Sequence, residues 1–441
     1  MLLIYVPKLT NRAGYTINVV MRNILQTDFA ITTDVHAFKS HGGPRLCYAL
    51  RPVEGCDAPF QKAARILFET SIEEQECHCF DFEGMKVLFP VYGYDTVLPF
   101  DPFAASFFML SRYEEYLPHR KDEHGRFLAS ESIAYREGFL QSAVVDRWAF
   151  MLKDVLVARY PELQFRARTF IFEQTVDIDA AYCYLHKGAF RTVTGLMRDG
   201  IHRHDMDEIW HRLRVLRGKE EDPYDTFDYI LDMSRKYVPH SNLIFFALMG
   251  DYGIYDKPAS PYCNEFRQLL QHLGDYAKMG VHGSYYSSEE PARLEREIQR
   301  LSDILHRPIV RNRFHFLRFN LPYAYRNLVQ RSVLHDYSMG YAEHPGFRCG
   351  TCTTVPFFDL NSDQESQLSM HPFVVMDATF NRYMRVSPDE AIKLTRALMD
   401  EVREVQGTFS CVFHNQNLSD DFEWKGWRVL YEDVLEYATR Q

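Results

Sequence analysis

The sequence has little or nothing of several features that would assign a chain to a class at once. Its richest apolar region, residues 91–110, contains Asp95 and Asp101, so it lacks the run of about 18 uncharged residues that a transmembrane helix needs. No basic block stands out, and 50 basic against 60 acidic residues give a formal net charge of −10. We therefore expect neither a membrane span nor a nucleic-acid partner. Internal repeats and low-complexity tracts are absent too, which excludes solenoid and collagen-like chains.

Cysteine is present but forms no legible pattern. The nine cysteines are odd in number and scattered, so no disulfide framework is predicted and a reducing compartment is favoured. The first six residues have no basic start, and their apolar run is too short for a secretion signal. They are typical of a first β-strand, and we expect a cytoplasmic protein.

Tryptophan is scarce, whereas the other aromatic residues are in excess. The 441 residues include 4 Trp but 33 Phe and 27 Tyr, and aromatic residues make up 15% of the chain. Such an excess is typical either of a thick aromatic core or of aromatic walls for a flat ligand such as a sugar. Composition alone does not separate the two.

The pattern of elements changes near Pro161. At about 150 residues per domain the length suggests two to three domains, and we expect a smaller α/β N-terminal domain at 1–165 and a second domain at 166–441. In the second domain β-like runs alternate with amphipathic helices, which favours a parallel α/β sheet or barrel. A polar helical insertion is predicted at about 185–240. The predicted strands are 166–175, 243–249 and 408–413, and the predicted helices are 264–277, 289–305 and 388–405.

Ionisable residues follow three of the β-like runs. Asp177 and Asp179 come just past one, His282 precedes a small-residue loop, and His414 comes at the end of the last. Because functional side chains collect where parallel strands end, these positions predict a site that contains a cation or perturbed carboxylates. Taken singly, each has an ordinary alternative: a helix N-cap or loop acids for the pair, and a structural hydrogen bond for either histidine.

The order of these motifs resembles the polysaccharide deacetylases, carbohydrate esterase family four. The resemblance is carried by Thr-Val-Asp-Ile-Asp at 175–179, Gly-Val-His-Gly-Ser at 280–284, an Arg to Pro-Tyr segment at 311–323, and the final strand ending in His414. It covers residues 166–441 and implies a distorted (β/α)7 barrel with metal-dependent hydrolysis of acetyl groups on a sugar. Without a secretion signal, the expected substrate is a bacterial surface-polysaccharide or glycolipid precursor.

Residue by residue, the resemblance implies that Asp177 is the catalytic base, Asp179 and His282 are metal ligands, and His414 protonates the leaving group. The family commonly has the two acids adjacent, whereas here one residue separates them. The family's second metal histidine falls four positions after His282, where this sequence has Tyr286. The usual Asp-His-His ligand set is therefore incomplete at that position.

A substitute ligand is available in the segment 311–323. Strand alternation puts Arg313, His315 and Leu317 on one face. If that face is the interior, His315 completes a three-ligand site for a divalent cation, and zinc suits such histidine and carboxylate ligands. Arg313 or Arg318 would then orient the catalytic base. The alternative is a hydrogen-bonded histidine in an aromatic strand.

Further residues are expected around the substrate or behind the ligands. Tyr286 and Tyr323 belong to a group of rings beside the predicted site and would line a sugar cleft. Asp336 and Arg348 are candidates for ion pairs behind the ligands, with a plain loop salt bridge as the alternative. The acid pair at 114–115 is expected on the surface of a helix in the N-terminal domain.

Two other functions stay open at the sequence level. An Asp-x-Asp pair also binds metal–nucleotide complexes, so a glycosyltransferase would bind a nucleotide sugar through Asp177 and Asp179, independently of His282 and His414. A catalytically inactive, carbohydrate-binding homologue of the deacetylases is the third possibility, and Tyr286 at the ligand position favours it.

Overall fold

The computed structural model describes residues 1–188, 194, 206–239 and 242–440. It has a mixed α/β fold with a four-stranded sheet near the N-terminus and a nine-stranded, mainly parallel sheet in the rest of the chain. The apolar core is continuous across both parts, since one buried cluster includes Leu2 as well as Leu435. The division of the chain at residue 165 stays a prediction.

The N-terminal sheet is parallel and has the strand order β2-β1-β3-β4. Asp101 caps the helix that packs behind this sheet, because its Oδ1 accepts from the main-chain N–H groups of Phe103 and Ala104 at 3.0 Å. The strands are β1 Leu2–Tyr5, β2 Phe29–Thr32, β3 Arg45–Ala49 and β4 Phe60–Lys62, followed by an antiparallel pair, β5 Phe80–Phe82 and β6 Met85–Val87. The α-helices here are Asn11–Asn18, Val35–Ser40, Pro102–Leu110, Ile133–Arg136 and Val144–Arg159.

The large sheet has the strand order β12-β13-β11-β10-β9-β8-β7-β15-β14. Its neighbouring strands are parallel except for the pair β12–β13. The strands are β7 Ile171–Ile178, β8 Leu243–Leu248, β9 Lys278–Gly283, β10 Arg311–Phe314, β11 His335–Asp336, β12 Val355–Asp359, β13 Gln364–Met370, β14 Val375–Met376 and β15 Thr408–His414. The helices are Met206–Leu216, Phe227–Tyr237, Asn264–Tyr276, Pro291–Leu305, Tyr323–Gln330, Pro388–Glu404 and Arg428–Ala438.

The sheet does not close in the part of the chain that the structure describes. No pairing joins β12 to β14 there, so the closed (β/α)7 barrel stays a prediction while the parallel α/β sheet is confirmed. Of the predicted insertion at 185–240, the helices Met206–Leu216 and Phe227–Tyr237 are present, whereas 189–193, 195–205 and 240 lie outside the described residues.

Contacts between the N-terminal part and the large sheet include a buried ion cluster. Glu115 lies between Arg112 and Arg348, with N–O distances of 2.8 Å to each. The expectation that the acid pair at 114–115 lies on a helix surface is wrong, because Glu115 is only 8% exposed. A second contact is made by Asp146, which is fully buried and pairs with Arg168 at 3.1 Å.

Two properties bear on the predicted compartment. All nine cysteines are free thiols in the structure. Among the described helices, none is both long enough and apolar enough to cross a bilayer. The compartment itself stays a prediction.

Candidate metal centre

The ionisable residues singled out in the sequence meet at one edge of the large sheet. Asp177 lies near the end of β7, with Asp179 one residue beyond this strand, and His414 is the last residue of the neighbouring β15. The parallel register places His414 directly beside Asp177. His282 is near the end of β9 and pairs in register with Arg313 on β10. Carboxyl ends of parallel strands are where α/β folds assemble their sites.

Asp179, His282 and His315 form a compact group of potential metal ligands, which we call the ligand group. Asp179 Oδ1 lies 3.2 Å from His282 Nε2 and 3.6 Å from His315 Nε2. One ligand atom from each of the three lies within 4.8 Å of the others, and both histidines are buried. The structure thus brings His315, the expected substitute ligand, to the position where a third ligand is needed.

The donor atoms of this group fit a divalent cation. Asp179 Oδ1 and His282 Nε2 are buried and have no hydrogen-bond partner among the described residues. Polar atoms are rarely left unpaired inside a protein, because their desolvation is then uncompensated. Two imidazole nitrogens and one carboxylate oxygen are a ligand set typical of zinc, and three protein ligands leave a coordination position free.

Each histidine of the group is oriented by a partner behind it. His282 Nδ1 lies 2.9 Å from the carbonyl oxygen of Arg313. A carbonyl only accepts, so Nδ1 donates to it, and Nε2 is the ring nitrogen that faces Asp179. His315 Nδ1 lies 2.8 Å from Asp256 Oδ1. A carboxylate behind a ligating histidine fixes the ring and raises its basicity.

The charges of the group favour positive charge at its centre. Burial raises the pKa of Asp179, but His315 and His414 outweigh this and hold the pKa well below its usual value. Burial lowers the pKa of His315, whereas Asp179 and Asp256 raise it to about 10. The carboxylates therefore recruit positive charge as protons, and a divalent cation would supply that charge instead.

Asp177 is held by a buried arginine. Arg313 donates to Asp177 Oδ1 at 2.7 Å, and the other carboxylate oxygen, Oδ2, lies 3.7 Å from His282 Nε2. Arg313 is fully buried and its guanidinium stacks on the ring of Phe246. The structure thus identifies Arg313 as the residue that orients Asp177. Arg318 donates instead to the carbonyl oxygen of Tyr285, so its predicted role at the base is wrong.

His414 faces the same centre from the strand next to that of Asp177. Its Nε2 lies 4.0 Å from Asp177 Oδ2 and 3.9 Å from Asp179 Oδ2. Its Nδ1 lies 2.7 Å from Asp377 Oδ1, and its main-chain N–H donates to Asp377 Oδ2 at 2.8 Å. Burial lowers the pKa of His414, but Asp377 and Asp179 outweigh it and raise the pKa to about 9.

The segment after β10 differs from the predicted strand. β10 ends at Phe314, and residues 315–317 form a short helical turn with left-handed backbone at Phe316 and Leu317, where φ is +60° and +53°. The prediction that Arg313, His315 and Leu317 share one face of a strand is therefore wrong. Leu317 packs in a small apolar cluster instead. Arg126 of the N-terminal part donates to the carbonyl oxygen of Phe316 at 2.8 Å and so holds this turn.

The other predicted site residues make no recorded contact with the ligand group. Tyr286 is 41% exposed and Tyr323 is 66% exposed. Asp336 is buried and accepts hydrogen bonds from neutral side chains, among them Tyr325 at 2.7 Å. Arg348 is buried in the ion cluster with Glu115. Asp336 and Arg348 therefore stabilise the interior and make no recorded contact with the ligand group.

Sequence reasoning missed the two carboxylates behind the histidines. Asp377 follows directly after β14, so the argument from strand ends would have found it had this two-residue strand been recognised. Asp256 lies in an irregular connection between β8 and the next helix, where no periodic pattern marks it. Gln416, which donates to Asp179 Oδ2 at 2.8 Å, lies two residues beyond His414 and was missed as well.

An aromatic cluster borders the ligand group. We use this name for His124, Tyr255, Tyr285, Tyr286 and Phe316. The rings of Tyr255 and Tyr285 stack with centroids 3.9 Å apart, and the ring of Phe316 lies 4.7 Å from that of His315. The hydroxyl oxygen of Tyr285 lies 3.0 Å from His124 Nδ1. Part of the aromatic excess of the sequence is thus placed beside the site rather than in the core.

A family model matches the N-terminal part of the chain. Residues 2–161 match a family model described as a family of unknown function, DUF7033. A search of the curated proteins gives no match.

Three solved structures resemble the chain at low identity. A protein of Mycobacterium smegmatis assigned as a polysaccharide deacetylase has 15% identity and a TM-score of 0.38, with 62% of this chain and 85% of that chain covered. Puue allantoinase has 11% identity and a TM-score of 0.37, with 62% and 84% covered. A polysaccharide deacetylase of Bacillus cereus has 8% identity and a TM-score of 0.29, with 60% and 85% covered. At these scores the likeness does not decide the activity, which has to be argued from the site.

Proposed function

We propose that the protein is a metal-dependent hydrolase that removes acetyl groups from a sugar. The observation that carries this proposal is the convergence of Asp179, His282 and His315, with Asp177 and His414 beside them, at one edge of the mainly parallel sheet. The orphaned Asp179 Oδ1 and His282 Nε2 support a cation at the centre. The motif order along the sequence supports the same reaction class.

The residues divide into a holding set and a proton-transfer set. Asp179, His282 and His315 would hold the cation, which supplies Lewis acidity toward water and the acetyl carbonyl. Asp177, oriented by Arg313, takes a proton from the attacking water as the water oxygen bonds to the acetyl carbon. His414, oriented by Asp377, gives a proton to the leaving nitrogen or oxygen as the bond to the acetyl carbon breaks. Acetate and a free amine or alcohol are the products.

A sugar as the substrate is supported by the walls of the site. The aromatic cluster offers flat apolar faces beside the ligand group, and the ring of Tyr286 is exposed. Hydroxyl and carboxylate groups at the edge of this cluster suit a ligand with both apolar faces and hydroxyls. The proposed substrate class is a bacterial surface-polysaccharide or glycolipid precursor.

The glycosyltransferase alternative receives less support from the geometry. An Asp-x-Asp pair that binds a nucleotide-bound cation needs both carboxylates open to the ligand. Here Asp177 is held by Arg313, and Asp179 is surrounded by His282, His315 and His414. The inactive-homologue alternative rests on the tyrosine at position 286, where the family has a metal-binding histidine. It receives less support because His315 supplies a third potential ligand beside Asp179 and His282.

The proposal is tested by acetate release from acetylated sugars in the presence of Zn²⁺, Co²⁺ or Mn²⁺. We expect release that a chelator abolishes. Asp177→Asn and His414→Ala are each expected to lower kcat by about 10²- to 10⁴-fold, because each removes one proton-transfer step. Asp232→Asn, which changes an exposed aspartate on the helix Phe227–Tyr237, is the matched control and should retain activity. Absence of acetate with all three cations, while a control esterase releases it, would contradict the proposal.

A further inference from the structure

A cavity lies between the N-terminal part and the large-sheet part, near the aromatic cluster. Its volume is about 580 Å³, which lies within the range of small-molecule sites. Residues 115–127 provide one wall, and residues 288–291 and 319–327 provide the other. The cavity is therefore shared between the part that matches a family of unknown function and the part that carries the ligand group.

Hydrogen bonds across the cavity hold its two walls in place. Lys121 Nζ donates to Asn320 Oδ1 at 2.6 Å. Outside the lining, two arginines also join the two parts of the chain through main-chain oxygens: Arg126 donates to Phe316 at 2.8 Å, and Arg318 donates to His124 at 3.0 Å. Because the walls are fixed before any ligand arrives, binding there requires little ordering of side chains.

The lining of the cavity suits a ligand rich in hydroxyl groups. Tyr323 presents an exposed ring, and Asn327, one helical turn later, presents its amide on the same face of the helix Tyr323–Gln330. Ser288 also lines the cavity, is only 3% exposed, and its Oγ has no hydrogen-bond partner among the described residues.

The two carboxylates of the lining are already paired within the protein. Glu289 pairs with Arg318 at 2.7 Å, and Glu115 lies between Arg112 and Arg348. Lys121 donates to a neutral amide oxygen across the cavity. No carboxylate of the described lining is thus left for a cationic ligand to neutralise, which disfavours amines and cationic peptides.

The cavity is connected to the candidate active site by direct contacts. Arg318, the partner of Glu289, donates to the carbonyl oxygen of Tyr285 at 3.0 Å and stacks on the ring of Tyr285. Tyr285 belongs to the aromatic cluster, whose member Phe316 contacts His315. We infer that the cavity is a second carbohydrate subsite, which binds sugar units linked to the one that is deacetylated. This inference rests on the proposed function for the reacting unit only.

Calorimetry with N-acetylglucosamine and its β-1,4-linked di-, tri- and tetrasaccharide tests the inference. Full-length, zinc-loaded Asp177→Asn protein is used so that turnover does not interfere. We expect the tetrasaccharide to bind about 10-fold more tightly than the monosaccharide or better, because further rings and hydroxyls find partners. Tyr323→Ala and Asn327→Ala should each remove most of this gain. Tyr92→Ala, which removes an equally exposed ring remote from the lining, should retain it.

The outcomes separate the subsite from the catalytic proposal. Equal affinity for all four lengths, or a gain that survives both Tyr323→Ala and Asn327→Ala in folded protein, overturns the subsite. If acetate release fails but the length-dependent gain and its loss in the two variants are found, the subsite stands and the catalytic proposal fails. Two variants of different chemistry guard against misfolding of either one, which thermal unfolding reports.

Discussion

Replacement of His282 by alanine is expected to weaken Co²⁺ binding by more than about 100-fold, because it removes a ligand outright, whereas loss of a partner behind a ligand typically costs 10- to 100-fold. Its Nε2 is buried, unpaired and 3.2 Å from Asp179 Oδ1. No other described donor replaces it among the three potential ligands grouped there. Cobalt absorption spectra and titration calorimetry of the full-length protein measure the affinity.

Asp256→Asn gives a graded version of the same experiment. The variant keeps a hydrogen-bond acceptor beside His315 Nδ1 but removes the negative charge that raises the basicity of the ring. Affinity should fall by about 10- to 100-fold, which lies between that of the wild type and that of His282→Ala. His272→Ala, which changes a histidine exposed on the helix Asn264–Tyr276, is the control and should bind Co²⁺ like the wild type. Unchanged affinity in both His282→Ala and Asp256→Asn would show that the cation binds elsewhere.

Glu115→Gln is expected to lower the free energy of unfolding by about 3–5 kcal/mol, because it leaves two buried guanidinium groups without their counter-charge. Glu115 Oε1 accepts from Arg112 at 2.8 Å and from Arg348 at 2.9 Å, and Oε2 accepts from Arg348 at 2.8 Å. All three side chains are buried between the N-terminal part and the large-sheet part. Urea unfolding at neutral pH measures the change.

The pH dependence of the free energy of unfolding tests the same ion cluster independently. Burial raises the pKa of Glu115, but Arg348 and Arg112 outweigh it and lower the pKa from 4.5 to about 2. A lowered folded-state pKa contributes stability above about pH 4.5, and this contribution of about 3 kcal/mol is lost as the pH falls toward 2. Glu115→Gln should lack this part of the acid dependence. Glu131→Gln, which breaks the exposed pair with Arg120, should change stability by less than about 1 kcal/mol. Equal small effects of both variants would contradict the role of the buried cluster.

Much of the candidate site could be predicted from the sequence because its residues lie at the ends of strands that can be recognised locally. Asp177, Asp179, His282 and His414 each follow a recognisable apolar run, and parallel strands bring their carboxyl ends to one edge. His315 was expected on the correct segment, although the argument from alternation fails. The strand ends one residue earlier, and a left-handed turn directs the segment after it.

The remaining features depend on contacts that no local pattern encodes. Asp256 reaches His315 from an irregular connection 59 residues away in sequence. Glu115 lies beside another glutamate in a stretch that looks like a polar helix surface, yet it meets Arg348 from 233 residues away. Burial of this kind is decided by how the N-terminal part packs on the large sheet, and a single sequence carries no periodic trace of it.

The N-terminal part is more than a neighbour of the candidate site. Arg126 holds the turn that follows His315, His124 belongs to the aromatic cluster, and Lys121 bridges the cavity. Residues 2–161, which match the family of unknown function, thus contribute side chains next to the ligand group. With the proposed function, this arrangement would give the N-terminal part a role in substrate binding.

In the proposed site Asp179, His282 and His315 hold one divalent cation beside Asp177 and His414. Anomalous diffraction from crystals of the full-length protein loaded with Co²⁺ locates this cation. We expect one dominant peak about 2.0–2.2 Å from a carboxylate oxygen of Asp179 and from Nε2 of both histidines. A dominant peak elsewhere, or an ion that leaves any of the three side chains turned away, would contradict it.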